Sequence, residues 1–229
     1  GTLLITGPFT NTGAATAQTG SILRVAGAGG GASTGSFTAA SGGTIEFSGG
    51  SSTLSGLLTS AAGGTINLSG GTTTLNTGAT FTGAGLNEIT GGTVTLAGTV
   101  AAPNLTIAGG TLAGTGTFDG TSHLIWSGGL MEGGSTTLAA GSTLLLTGSQ
   151  QLGTPSGPHT LVNAGTITWT GDGNFASPHT SMLTNAAAGV FDIQGNGTVV
   201  WQAYAGYGMP TIANAGTLQK SAGTGTTTI

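Results

Sequence analysis

Side chains able to do acid–base, metal or nucleophilic chemistry are scarce: six carboxylates, three histidines, two basic residues and no cysteine among 229 residues. The carboxylates are Glu46, Glu88, Asp119, Glu132, Asp172 and Asp192. Cleavage of a glycosidic bond needs two of them about 5–10 Å apart, often with basic groups to hold an acidic sugar. Asp172 and Asp192, about one repeat unit apart, are the nearest candidates. Asp172 lies in the turn sequence Gly171-Asp172-Gly173-Asn174, and Asp192 alternates outward between Phe191 and Ile193, so the two are expected to stand apart. His159 and His179 share a Pro-His-Thr context and could stack as a metal pair, but the sequence places no third ligand beside them. They read as equivalent turn residues, and His123 as a strand-edge residue. No Gly cluster is followed by the Lys of a phosphate cradle, and no recurring Asp marks a calcium-binding nonapeptide run. The expectation is a protein that is not an enzyme and that carries no catalytic residue, metal or cofactor.

Arg24 and Lys220 cannot neutralise a row of phosphates, which excludes nucleic acid as a partner. No apolar run reaches the roughly 18 residues of a membrane-spanning helix. The lack of cysteine removes disulfides and thiolate sites without fixing the compartment. The chain opens at Gly1 without an initiator Met or a signal segment, and is expected to be a processed product or an excised piece.

The elements that position these residues must be strands. Gly supplies 48 residues and β-branched Thr is abundant, so no stretch of a dozen residues keeps a helical apolar period without a Gly. Disorder is excluded by a mean hydropathy of +0.28 and a charged fraction of 3%. Short bursts such as Thr44-Ile45-Glu46-Phe47, Thr65-Ile66-Asn67-Leu68 and Thr166-Ile167-Thr168-Trp169 alternate apolar and polar, the period of a strand with one buried face. Ile45, Ile66, Val94, Leu145, Ile167, Phe191 and Leu218 are expected to point inward.

The internal repeat is the strongest signal. Gly-Gly-Thr-Ile-x-[Phe/Leu]-Ser-Gly-Gly begins at Gly42 and again at Gly63, with a looser copy at Gly91. A second form, Pro158-His159-Thr160-Leu161-Val162-Asn163-Ala164-Gly165-Thr166, is echoed around Asn185 and Asn214. Like motifs at one-coil spacing stack like on like in a parallel register, which hairpins would destroy. The fold expected is an all-β parallel β-helix, or β-solenoid, of about ten coils with roughly 21–29 residues each. Residues 1–229 form a single elongated module, with Gly-Gly-Thr-Ile coils over about 1–150 and Asn-Ala-Gly-Thr coils over about 151–229. Asn11, Asn163, Asn185 and Asn214 are expected at equivalent turns, bonding corner backbone groups.

Phe9-Thr10-Asn11-Thr12-Gly13, the Asn-Ala-Gly-Thr blocks and the closing run Gln219 to Ile229 resemble the Gly/Thr-rich repeats of very large bacterial surface proteins. Those in turn resemble autotransporter passengers and filamentous-haemagglutinin-type β-helices. The resemblance covers nearly the whole chain, implies export and a secreted or cell-surface location, and carries over no catalytic residue.

Three surface features bear on function. Trp201, Tyr204 and Tyr207 form an aromatic stretch that could stack on surface glycans or dock a neighbour. Thr-x-Thr pairs such as Thr93-x-Thr95 could order water as in ice binding, although the sequence does not set the copies at matching positions of adjacent coils. Leu3, Leu4 and Ile5 at one end, with Thr226, Thr228 and Ile229 at the other, read as uncapped strands that could stack on further copies of the module. A structural fibre subunit or link at the cell surface, with itself as partner, is the leading expectation. An adhesin for glycan or ice is the alternative, and a polysaccharide-active enzyme a distant third.

Overall fold

The computed structural model describes residues 1–154, 157–178, 180–202 and 209–229, and every regular element among them is a β-strand. The strands wind as a parallel β-solenoid of about 9 turns, roughly 21 residues in each. These turns carry a strand on each of three sides. A partial first coil, with strands Thr2–Ile5 and Ala14–Ala17, precedes them, and the strand Thr217–Lys220 follows. With those ends added, the winding agrees with the ten coils expected.

The first side is one continuous parallel ladder. Thr2 pairs with Ile22, Ile22 with Thr44 and Thr44 with Thr65, and the ladder continues coil by coil to Val190 on Thr217. Because strand residues alternate faces, each coil sends two side chains inward. Ile45 stacks on Ile66, and Ile167 on Phe191, all four buried. Val94 is also buried, on the second side. Two of the expected core residues differ. In the run Leu144-Leu145-Leu146 the buried pair is Leu144 and Leu146, so Leu145 faces outward and is half-buried. Leu218 stays in the inward column over Phe191 but is 39% exposed, because it sits on the last rung of this ladder.

The third Gly-Gly-Thr copy also lies elsewhere. Thr65 pairs with Leu86 on the first side, whereas Thr93 pairs with Thr72 on the second. The extra seven residues in its spacing are therefore the advance from one side to the next. Coils are also more variable than expected: Asn87 pairs with Leu105 and Asn185 with Asn214, a span of 18 to 29 residues. The short coil comes where the third side changes. A separate four-stranded sheet, Ala14–Ala17, Ser36–Ala39, Leu57–Ser60 and Thr80–Thr82, forms the third side of the first coils and ends there. Beyond it the third side is built from the second halves of Thr111–Phe118 and Leu130–Leu138, and then from His159–Asn163, Met182–Asn185 and Thr211–Asn214.

The corner between the first and second sides is a column of glycines. Gly71 and Gly92 have φ of +64° and +65°, a region L side chains rarely adopt. A Cβ on Gly92 would lie 2.5 Å from the carbonyl oxygen of Gly71 in the coil beneath. Only glycine lets successive corners nest at the inter-strand spacing.

Candidate functional sites

Asn163, Asn185 and Asn214 stack in one column at the corner leading into the first side. Asn163 Nδ2 donates to Asn185 Oδ1 at 2.8 Å and to the Val190 carbonyl at 2.9 Å. Asn185 Nδ2 repeats this to Asn214 Oδ1 at 2.7 Å and to the Thr217 carbonyl at 2.9 Å. Asn163 Oδ1 also accepts the N–H of Gly165 at 3.1 Å, closing the turn within its own coil. Asn11 makes the same local motif, accepting from Gly13 N–H at 3.1 Å and donating to the Ser36 carbonyl at 2.8 Å. It does so at a different corner, the one entering the four-stranded sheet, so it is no fourth member of the column. Another polar corner escaped the sequence reading. Asn87 occupies the inward column between Ile66 and Leu105, is fully buried, and donates to Asn104 Oδ1 at 2.6 Å. Asn104 in turn donates to the carbonyls of Gly83 and Gly85. An Asn followed by Glu-Ile, without the Ala-Gly that follows Asn163 and Asn214, gave no corner signal.

At the N-terminal end, strand Thr2–Ile5 pairs on one side only among the described residues, and Leu3 and Leu4 are 63% and 52% exposed. Leu3, Ile5, Phe9, Ala15 and Leu23 line the open mouth of the core. The C-terminal segment differs from the strand expected there. Thr226 and Ile229 lie outside regular structure, and Thr228 makes an isolated parallel bridge to Thr198. Gly223 and Gly225 break the run, and Lys220 draws it inward. Lys220 occupies the inward column over Ile193, and its Nζ donates to the Gly195 carbonyl and to Thr227 Oγ1. Of the aromatic stretch, Trp201 lies in the strand Val199–Gln202 opposite Ser177, while Tyr204 and Tyr207 fall outside the described residues, as does His179.

The carboxylates are separately engaged. Glu46 pairs with Arg24 in the neighbouring coil at 2.7 Å and accepts the Ser69 hydroxyl. Asp172 accepts the Asn196 N–H at 2.7 Å. Asp192 is opposite Thr168, not Asp172, and accepts from Gln194 and Ser221. Burial raises the Asp192 carboxyl, but hydrogen bonds from Ser221, Gln194 and Gln219 outweigh it and hold the group below its usual range. Desolvation raises Glu88, the direction a general acid needs, yet its partners in adjacent coils are Asn67 and Thr106, neither a second carboxylate. Among the described residues no three His, Asp or Glu side chains are grouped to hold a metal ion.

His159 is not the turn residue its sequence context suggested. It begins the strand His159–Asn163 and is buried, with Nε2 3.1 Å from Thr136 Oγ1 and its backbone N–H donating to Ser181 Oγ. Desolvation lowers its pKa to about 4, against a smaller opposing pull from the Glu132 backbone carbonyl, so the ring is neutral near pH 7. His123 is exposed, its Nδ1 2.8 Å from Thr143 Oγ1.

Thr93-x-Thr95 is out of step with Thr115-x-Thr117 and Thr166-x-Thr168, as expected, since Thr115 pairs with Ser135 and Thr166 with Thr143 on other sides, but it is in step with Thr72-x-Thr74 on the second side. Ser51 pairs with Thr72, Thr72 with Thr93 and Thr93 with Thr111, while Thr53 pairs with Thr74 and Thr74 with Thr95. No protein-family model matches the chain, and neither the curated proteins nor the solved structures include a match to it.

Proposed function

We propose that the chain is a structural rod module that acts outside the cell, at its surface, and extends by stacking coil on coil with further copies of itself. The observation that carries the reading is the first-side ladder, in which every rung from Thr2–Ile5 to Thr217–Lys220 lies parallel and in register on the next, with one inward column running from Leu3 to Leu218 and another from Ile5 to Lys220. Each rung of such a ladder is a template for another strand, and stacking coil on coil removes apolar surface from water. The register favours Thr217–Lys220 as the mate. Leu3 heads the inward column that closes on Leu218, and Ile5 heads the one that closes on Lys220. Thr2–Ile5 of one copy laid on Thr217–Lys220 of the next sets Leu3 over Leu218. It also sets Ile5 over the aliphatic stem of Lys220, whose ammonium group already turns aside to Gly195. A contact between unlike ends propagates as a filament. Two basic against six acidic residues offer little repulsion between approaching ends. The surface location rests on the repeat resemblance to large exported bacterial proteins.

Sedimentation velocity over a hundredfold concentration range tests the reading. Wild type is expected to form a ladder of rod-like oligomers, and Leu3→Lys to remain monomeric with an unchanged far-ultraviolet spectrum. A wild-type protein that stays monomeric throughout would overturn it.

A further inference from the structure

We propose that the second side of the solenoid is an ice-binding face, whose ligand is the ordered water of a crystal surface. This face is separate from the strands that stack end to end. Four successive coils present outward pairs at matching positions: Ser51 and Thr53, Thr72 and Thr74, Thr93 and Thr95, then Thr111 and Ala113. Alternate residues on a strand stand about 6.6 Å apart and coils about 4.8 Å apart, so the pairs form a two-dimensional lattice, not a single stripe. The oxygen rows of ice repeat at a spacing close to the separation of coils, and the lattice lets several hydroxyls engage one crystal plane together.

The state of those hydroxyls points the same way. On the neighbouring third side, Thr59 and Thr82 satisfy each other at 2.9 Å. The hydroxyls of Thr53, Thr72, Thr74, Thr93, Thr95 and Thr111 take part in no hydrogen bond with any described residue, although their side chains are held in register by the ladder beneath. They are hydrogen-bonding groups fixed in position and left to the solvent, and branching at Cβ restricts their rotation further. Each Thr also offers a methyl group around which water can close a cage.

Charge is absent from the array. A charged group would impose its own hydration shell. Arg24, Glu46 and Glu88 all project from the first side, and the second side meets its first charge at Glu132, opposite Ala113, where the register shifts and the array ends. Nothing in the array offers the aromatic platform of a sugar site or the large apolar groups of a protein interface.

The test uses the intact chain in nanolitre osmometry and in an ice-recrystallisation assay. Wild type is expected to give thermal hysteresis and shaped crystals at sub-millimolar concentration. Thr74→Lys and Thr93→Lys should each reduce the effect at least tenfold, while Thr59→Lys on the third side leaves it within twofold. Circular dichroism and the unfolding midpoint confirm that each variant is folded. Wild-type activity no greater than that of an equal mass of albumin overturns the proposal, as does activity surviving both lysine substitutions. Retention on crystalline cellulose without any effect on ice overturns it in favour of a sugar lattice.

Discussion

Replacing His159 with Gln should remove a block of acid sensitivity that can be sized in advance. The folded chain holds the imidazole at a pKa of about 4 against an ordinary value of 6.5, chiefly by burial. The unfolded chain therefore binds a proton at His159 that the folded chain refuses between those two values. Stability is complete above about pH 6.5, falls as pH drops through the window, and levels off below about pH 4. A shift of that size corresponds to about 3 kcal/mol at roughly 1.4 kcal/mol per pH unit. Glu88, raised by burial, contributes in the opposite sense, its stabilisation being lost as pH rises through its folded pKa. The quantity to measure is thus the difference between wild type and His159→Gln. Urea midpoints would be followed through the fluorescence of buried Trp126 and Trp169 at several pH values from 4 to 7.5. The variant is expected to lose far less of its midpoint on acidification than wild type does. Parallel pH profiles, or an NMR titration placing the His159 ring above pH 6, would refute the assignment of the ring to the core.

Other outcomes follow from the ladders. Ile66→Asp puts an unpaired charge between Ile45 and Asn87 and should cost several kcal/mol, whereas Leu145→Asp, on the outward face, should shift the unfolding midpoint little. Asn185→Ala breaks bonds to Asn163, Asn214 and Thr217 and should cost about 1–3 kcal/mol, with Asn214→Ala, at an exposed position, costing less. Gly92→Ala meets both a positive φ and the Gly71 carbonyl. It should be more damaging than Gly29→Ala, where φ is +83° but nothing lies within 4 Å, and the strain alone costs about 1–3 kcal/mol. Equal midpoints for the two alanine variants would show that corner nesting is not what Gly92 supplies.

The fold was legible because alternation and like-on-like repetition are direct consequences of stacking, and both survive in single motifs such as Gly-Gly-Thr-Ile. What the sequence hid was register between coils of unequal length. The copy at Gly91 keeps the Gly-Gly-Thr start and the alternating apolar positions of the one at Gly63, yet turns a different corner, since short Gly-Thr segments suit any side of the rod. In Thr72-Thr73-Thr74 and Leu144-Leu145-Leu146 the residue types do not alternate at all, so neither the buried Thr73 nor the outward Leu145 could be told from its neighbours. The hydroxyl lattice was lost for that reason. The Asn column was visible because an Ala follows each of its three members, with the full Ala-Gly-Thr repeating after Asn163 and Asn214. Asn87 is a single departure inside an otherwise apolar column and His159 lies against Gly134 and Ser181, and the burial of each is decided by neighbours a full coil away.

The hydrogen bonds of the ladders run along the axis of the rod, because every strand lies across it. Tension between the two ends therefore loads these bonds lengthwise, one coil at a time, instead of shearing a whole sheet at once. A terminal coil of roughly 21 residues, once peeled, yields about 70 Å of slack chain before the next is loaded. Under a sustained pull the protein should lengthen in discrete, low-force steps from its ends while the remaining coils stay wound. It would behave as a shock absorber whose stroke is set by the number of coils and whose grain is set by their length.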